Sequence, residues 1–206
     1  MRTADACHEL FLNYACNAKC AFCYNPPLTP ELLRLELSYE QALRSLYDGA
    51  RAGAKRLNLH GGEVTLRDDL PRILLAARRL GYEQITVVTN GVRLSRAGYV
   101  RELLACGATH IRLSVHGPDA RTHDDVVAIS GAFAKVLRAI EHLRAGRTPL
   151  GLNFVLIRRN YKTLPAFLDM FCLKLGLEDV IVYFPHLRGM MAINAEREGV
   201  TYAQAA

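Results

Sequence analysis

No stretch of the sequence approaches the ~18 consecutive apolar residues that a membrane-spanning helix needs. Met1 to Ala6, with Arg2 and Asp5 among them, lacks the apolar core of a signal peptide. Both absences point to a soluble, cytoplasmic chain that meets no membrane. Cysteine is sparse as well. Six in 206 residues is far below the density of a disulfide scaffold, and clustered thiols in a cytosolic chain more often serve metals or redox chemistry. Dense basic runs with interleaved aromatics are missing too. The net charge of +6 comes mostly from arginines scattered along helical patterns, such as Arg78 and Arg79 or Arg158 and Arg159. Nucleic-acid binding is therefore not indicated, and the cations read as a solvated surface. Such a surface also suits an acidic electron donor.

What is present is a core and a rhythm. At 50% hydrophobic and 22% charged, the chain can bury a sizeable interior, and small α/β barrels reach ~200 residues undivided. Strand-length apolar runs recur at HELFLN (8–13), RLNLH (56–60), QITVVT (84–89), HIRLSV (110–115), LGLNFVLI (150–157) and DVIVYF (179–184). Several are nearly continuous in apolar residues, as buried parallel strands are. Between them lie helical spacings, as in Leu70, Ile73, Leu74, Ala77 and in Phe133, Val136, Leu137, Ile140. Ser38 with Gln41 predicts a capping box; Asp69 and Ser95 are expected to start two further helices.

Gly53, Gly81, Gly107, Gly146 and Gly176 fall at the predicted helix ends, where a left-handed residue is wanted. Their spacing is that of β-α units, which implies parallel strands with right-handed crossovers. Six units make either an open sheet or an incomplete barrel. The widest gap holds residues 116–131, expected to be a long loop after the fourth strand, where α/β barrels keep substrate regions.

Cys16, Cys20 and Cys23 occupy the loop that leaves the carboxyl end of the first strand. The pattern C-x3-C-x2-C fits neither a helix face nor a zinc ribbon, and a structural zinc site wants a fixed fourth ligand. Three thiolates can instead cap three irons of a 4Fe-4S cube, leaving one iron open to a non-protein ligand. Two other classes stay in view. One is a one-electron carrier, although ferredoxin-type proteins supply four ligands. The other is a zinc-binding interaction module completed by His8 or Cys7. Cys106 and Cys172 sit in apolar helical patterns and read as core thiols.

Cys16-x3-Cys20-x-Phe22-Cys23 resembles the signature of the radical S-adenosylmethionine superfamily, and HGGEVTLRDDL (60–70) resembles that family's Gly-Gly-Glu motif. The resemblance runs across nearly the whole chain. It implies a partial (β/α)6 TIM-like barrel with parallel strands over residues 1–189, followed by a helix and tail, or a shortened extension, over 190–206. It also implies a 4Fe-4S cluster on Cys16, Cys20 and Cys23, with S-adenosyl-L-methionine chelating the open iron. Reductive cleavage would yield a 5′-deoxyadenosyl radical that abstracts hydrogen from a peptide or protein side chain, a small molecule being the alternative substrate. A flavodoxin or ferredoxin-type electron donor would supply the electron. The tail after Gly189 has no cysteines, where many peptide-modifying relatives carry auxiliary clusters, so the chain is expected either to work with a single cluster or to have been cut short.

The same resemblance assigns roles around the mouth. Phe22 is expected beside the adenine or filling the barrel mouth. Gly61 and Gly62 would let backbone approach the cofactor and meet its ammonium. Glu63 would add charge complementarity or simply start a helix. Asn90, Ser114 and Asn153, at the ends of strands three, four and five, are candidates for the cofactor's polar groups or for a hydrogen-bonded polar layer. His116 is the candidate proton carrier, on the expectation that it titrates near neutrality. His186 and Arg188 are expected either to bind a substrate carboxylate or phosphate, or to lie in solvent.

Overall fold

A computed structural model describes residues 6–205. The reading of Met1 to Ala6 as lacking a signal-peptide core lies, Ala6 apart, outside the described residues. Among those described, no helix is long and apolar enough to cross a membrane.

Every predicted apolar run forms a strand: β1 Cys7–Phe11, β2 Arg56–His60, β3 Gln84–Thr89, β4 His110–Ser114, β5 Leu150–Val155 and β6 Asp179–Tyr183. They pair in sequence order, all parallel, in one six-stranded sheet. That order decides between the two architectures left open above. A doubly wound sheet reverses its strand order and so carries helices on both faces. Strictly sequential strands with right-handed crossovers put every helix on the same face, and the sheet curls around the other. The sheet is open between β6 and β1, and the result is a partial barrel.

Burial follows that curl. Outward residues Leu57, Leu59, Ile85, Val87, Leu113, Leu152 and Phe154 are fully buried. They form one core with Ala42 and Leu46 of α2 (Tyr39–Arg51), Ile73 and Leu74 of α3 (Leu70–Arg79), Leu103 of α4 (Ala97–Cys106) and Val136 and Ile140 of α6 (Ala132–Ala145). The short α1 (Pro30–Leu33) precedes them, and α5 (Ala120–Val127) lies between β4 and α6. After β5 come α7 (Leu164–Leu168) and a π-turn, and after β6 come α8 (Gly189–Ile193) and α9 (Ala195–Glu198). The inward face is more polar: Glu9, Asn58, Thr86, Arg112 and Asn153, with Val88 and Ile181 among them, line a groove of about 890 Å³ along the concave face.

Local expectations fared unevenly. The Ser38–Gln41 capping box is present in both directions. Asp69 precedes α3 but makes no cap, because its carboxylate is held by both ends of the Arg67 guanidinium. Ser95 likewise turns back to the Val92 carbonyl, and α4 starts after Arg96 without a side-chain cap. Gly53, Gly81, Gly107 and Gly176 take positive φ as expected, but Gly146 has φ −81 and Arg147 supplies the left-handed residue at φ 52. The supposed long loop at 116–131 contains α5, capped by Asp119 accepting the Thr122 N–H, with His123, Val126 and Val127 buried.

Candidate active site

Parallel pairing of β1 with β2 continues past both strands and forms the base of the cysteine loop. Leu12 N–H donates to the His60 carbonyl, Gly62 N–H to the Asn13 carbonyl at 2.6 Å, and Glu63 N–H to the Ala15 carbonyl at 2.8 Å. On the other side the Glu36 carboxylate accepts the N–H groups of Tyr14 and Ala15 at 3.0 and 2.7 Å. Gly61 and Gly62 are required by this close approach. A Cβ on Gly61 would stand 2.6 Å from the Asn13 carbonyl oxygen, and one on Gly62 would overlap the carbonyl oxygens of Tyr14 and Ala15. The glycine pair was expected to make room for a ligand; the approach seen is that of the cysteine loop itself, and it engages the Gly62 N–H.

From this base the loop runs through Cys16, Cys20 and Cys23, all half-buried and free. Ala18 N–H points to Cys16 Sγ at 3.4 Å, Cys23 N–H closes a turn on the Cys20 carbonyl, and Lys19 N–H donates to the Val127 carbonyl at the end of α5. Burial pushes the Cys20 thiol well up from its ordinary value, and the charges of Cys23 and Cys16 add to it. Cys16 is pushed up to about 11, again first by burial. Three thiols that feel one another in a low-dielectric loop are poor thiolates alone and good ones against a strongly positive metal centre.

The donor set discriminates between such centres. Cys7 and His8 lie at the opposite end of β1, and His8 is engaged by Tyr82 Oη at 2.7 Å and Ser45 Oγ at 3.2 Å, so neither completes a zinc site with the loop. Among the described residues no three His, Cys, Asp or Glu side chains are grouped as ligands of a single metal ion. A polynuclear cluster contacts its thiolates through separate irons, and three spaced thiols fit that demand.

The remaining predicted residues divide into those that build the loop's frame and those that face the groove. Glu63, 1% exposed, starts the short 3-10 turn Val64–Leu66. Its carboxylate accepts from Thr65 N and Oγ1, from Thr89 Oγ1 at 2.7 Å and from Asn90 N at 2.7 Å. The helix-start alternative is therefore what the geometry displays. Asn90 bonds across to the middle of the loop, its Nδ2 donating to Asn17 Oδ1 at 2.7 Å. Ser114 and Asn153 pair in register on β4 and β5, both half-buried on the inner face, with Asn153 Oδ1 accepting from Arg112.

His116 lies in the wall of the barrel. It is 2% exposed, its Nδ1 accepts the Val155 N–H, and its ring meets Phe22 edge-on at 4.6 Å and stacks over His123. Burial, with His123 beside it, holds its pKa well below 6.5. The expectation that it titrates near neutrality is corrected: this imidazole stays neutral. Phe22 accordingly packs between the cysteine loop and that wall. His186 and Arg188 are exposed in the turn before α8.

Several residues of the frame were not singled out by the sequence. Glu36 and Arg67 pin the end of β1, the latter donating to the carbonyls of Leu12 and Leu37. Met190, Met191 and Asn194 bond to the far limb of the loop, so the boundary expected at Gly189 falls where the chain packs onto the cysteines. On the groove side Tyr24 Oη meets His60 Nδ1 at 3.4 Å, and His60 faces Glu9 at 3.6 Å. Arg67 and His60 lie within the Gly-Gly-Glu stretch at 60–70, though no role was read for them there; the others lie in no motif.

A family model described as the radical SAM superfamily matches residues 10–171. The PqqA peptide cyclase of Granulibacter bethesdensis is 33% identical over 159 residues, 77% of this chain and 41% of that protein. The probable GTP 3′,8-cyclase of Saccharolobus solfataricus is 30% identical over 183 residues, 88% of this chain and 58% of that protein. The chain spans about half the length of the curated relatives it matches. In fold it resembles native anSMEcpe with bound AdoMet and Kp18Cys peptide, at TM-score 0.68 and 16% identity over 88% of this chain and 52% of that one. It also resembles Streptococcus suis SuiB, at TM-score 0.69 and 20% identity over 87% and 40%.

Proposed function

The chain belongs to the radical SAM superfamily, and on that premise we propose that Cys16, Cys20 and Cys23 hold a 4Fe-4S cluster that works with S-adenosyl-L-methionine on a peptide or protein side chain. The observation that carries the proposal is the presence of three half-buried free thiols on one loop, braced by backbone hydrogen bonds at the carboxyl ends of the strands. When bound, the cluster and the sulfonium supply one-electron reductive cleavage and a 5′-deoxyadenosyl radical for hydrogen abstraction.

The protein's own residues aim and shield. Gly62, Glu63 and Asn90 fix the loop against β2 and β3, so the thiols are presented by rigid backbone. Ser114 and Asn153 offer a hydroxyl and an amide on the inner face for the cofactor's polar groups. Phe22, seated on His116, keeps water from the loop's inner side. His116 acts by packing and not by moving a proton.

Substrate class rests on different support. The relative named PqqA peptide cyclase and a groove open along the unpaired edges of β1 and β6 favour an extended substrate. Relatives named probable GTP 3′,8-cyclase favour a small molecule as the second reading. Lys19, exposed on the cysteine loop, and the net charge of +6 suit an acidic flavodoxin or ferredoxin-type donor.

Anaerobic reconstitution with iron and sulfide, then addition of S-adenosylmethionine and dithionite, tests the proposal. Appearance of 5′-deoxyadenosine is expected; uptake of zinc alone, or of iron without any sulfonium cleavage, overturns it. Deuterium passing into 5′-deoxyadenosine from a labelled peptide supports the peptide reading, and transfer from labelled GTP supports the second.

A further inference from the structure

The chain beyond β6 does not return along the outside of the sheet as a crossover helix. It runs onto the cysteine loop. Met190 N–H donates to the Asn25 carbonyl at 3.0 Å, Met191 N–H to the Cys23 carbonyl at 3.1 Å, and Asn194 Nδ2 to the Ala21 carbonyl at 3.0 Å. Met191 is fully buried beneath this contact. The approach is close enough to require glycine at the turn: Gly189 has φ +55, and a Cβ there would overlap the carbonyl oxygens of Tyr24 and Asn25.

The other end of the segment is anchored by charge. Glu198 is 1% exposed, yet its carboxylate takes both Nη2 and Nε of Arg159, at 2.6 and 2.9 Å, and Arg197 Nε at 3.0 Å. Arg159 also reaches Asp125 of α5, the helix whose Val127 carbonyl accepts the Lys19 N–H. Both limbs of the cysteine loop thus refer to one polar anchor, Lys19 through α5 and Ala21 to Asn25 through α8. A buried carboxylate held by two arginines keeps such a segment in a single place, because moving it would strand the charge.

We propose that Asn194 and Glu198 are positioning residues, which latch the Ala21–Asn25 limb so that Cys23 is presented at a fixed distance from Cys16 and Cys20. The inference rests on the reading of those cysteines as cluster ligands. Of the two, Asn194 is the sharper probe. Aspartate has its shape but cannot donate to the Ala21 carbonyl.

Amide hydrogen exchange of the iron-free protein compares wild type with Asn194→Asp and Asn194→Ala. The amides of residues 21–25, Met190 and Met191 are expected to exchange about fivefold faster in both variants, the factor that one lost hydrogen bond represents. Amides of β2 to β4 should be unchanged. After anaerobic reconstitution both variants should lose iron to a chelator by a similar factor and shift the electron paramagnetic resonance spectrum of the reduced cluster; Asn194→Gln, which keeps the donor, should recover part of both. Glu196→Ala, on the exposed side of the same segment, should match wild type. Wild-type exchange at residues 21–25 in Asn194→Asp, or acceleration spread evenly over β2 to β4, overturns the latch. The exchange measurement needs no cluster. Local acceleration in a protein that takes up no iron would therefore refute the ligand assignment while leaving the mechanical latch in place.

Discussion

Gly62 lies directly against the backbone of Tyr14, so that a Cβ on it would overlap the Tyr14 carbonyl oxygen while its N–H donates to Asn13. Backbone cannot swing aside as a side chain can. Gly62→Ala is therefore expected to cost about 1–3 kcal/mol of folding stability and to push the cysteine loop off its base, lowering iron uptake. Gly53→Ala is the matched comparison. Gly53 has φ +89 with nothing within 4 Å of the new Cβ, so the change should cost about 1–2 kcal/mol through left-handed strain alone and leave iron uptake intact. Denaturant unfolding and iron analysis on both variants check the pair.

Glu63 separates a ligand-facing carboxylate from a structural one. It accepts from two backbone N–H groups and two threonine hydroxyls, with Asn90 N–H alone on Oε2. Glutamine turns one acceptor into a donor facing donors. Glu63→Gln should destabilise the iron-free protein by about 2–3 kcal/mol, since hydrogen bonds to a charged group are the stronger kind. A lowered urea midpoint without a change in slope is the expected result. Unchanged stability of the iron-free variant would return Glu63 to the role of complementing a bound ammonium.

Those two residues also mark how far the sequence reaches. The Gly-Gly-Glu stretch was legible because only particular residue types serve at such a turn, but the reason was not. Sequence names the residue that needs room and never the neighbour that takes it. Strands β2 and β3 were legible to the residue, since a buried parallel strand must be a short apolar run. Partial closure was legible only through the family resemblance, because it depends on strand order, which periodicity does not encode.

His116 shows a different limit. A histidine at a strand end reads the same whether it faces the mouth or the wall, and only the packing of Phe22, Phe154 and His123 around it decides. Glu36, Asn194 and Glu198 were out of reach for a third reason. Each is an ordinary polar residue in a helical or turn pattern, and its partner lies tens to hundreds of positions away along the chain.

The cysteines themselves give a direct contrast. Cys20→Ala removes the thiol that interacts with both Cys16 and Cys23, and should abolish the visible absorption of the reconstituted cluster together with sulfonium cleavage. Cys106 ends α4, packed against the core and away from the loop, so Cys106→Ala should keep both. Absorption spectra and chromatography of 5′-deoxyadenosine on the two variants decide. Cleavage surviving in Cys20→Ala would remove the basis of the functional reading.

Acid should loosen this protein before its carboxylates titrate. His123 is buried, and its pKa is lowered to about 4 from 6.5, while His116 is also held well below 6.5, by burial and by His123. A group whose folded pKa lies below its unfolded value binds more protons when unfolded. Stability then rises with pH through the interval between the two values and is lost on acidification from about 6.5 toward about 4 for His123. The slope contributed by each such histidine is at most about 1.4 kcal/mol per pH unit. His8, His60 and His110, all lowered by burial, add smaller contributions of the same sign. Urea midpoints of the iron-free protein should therefore fall steadily between about pH 6.5 and pH 5, a window above most carboxylate titrations. His123→Gln, which cannot titrate, should flatten that fall whatever it does to the absolute midpoint. A flat profile in the wild-type protein would mean that these imidazoles open to water without unfolding, and that the wall behind Phe22 is far looser than its packing indicates.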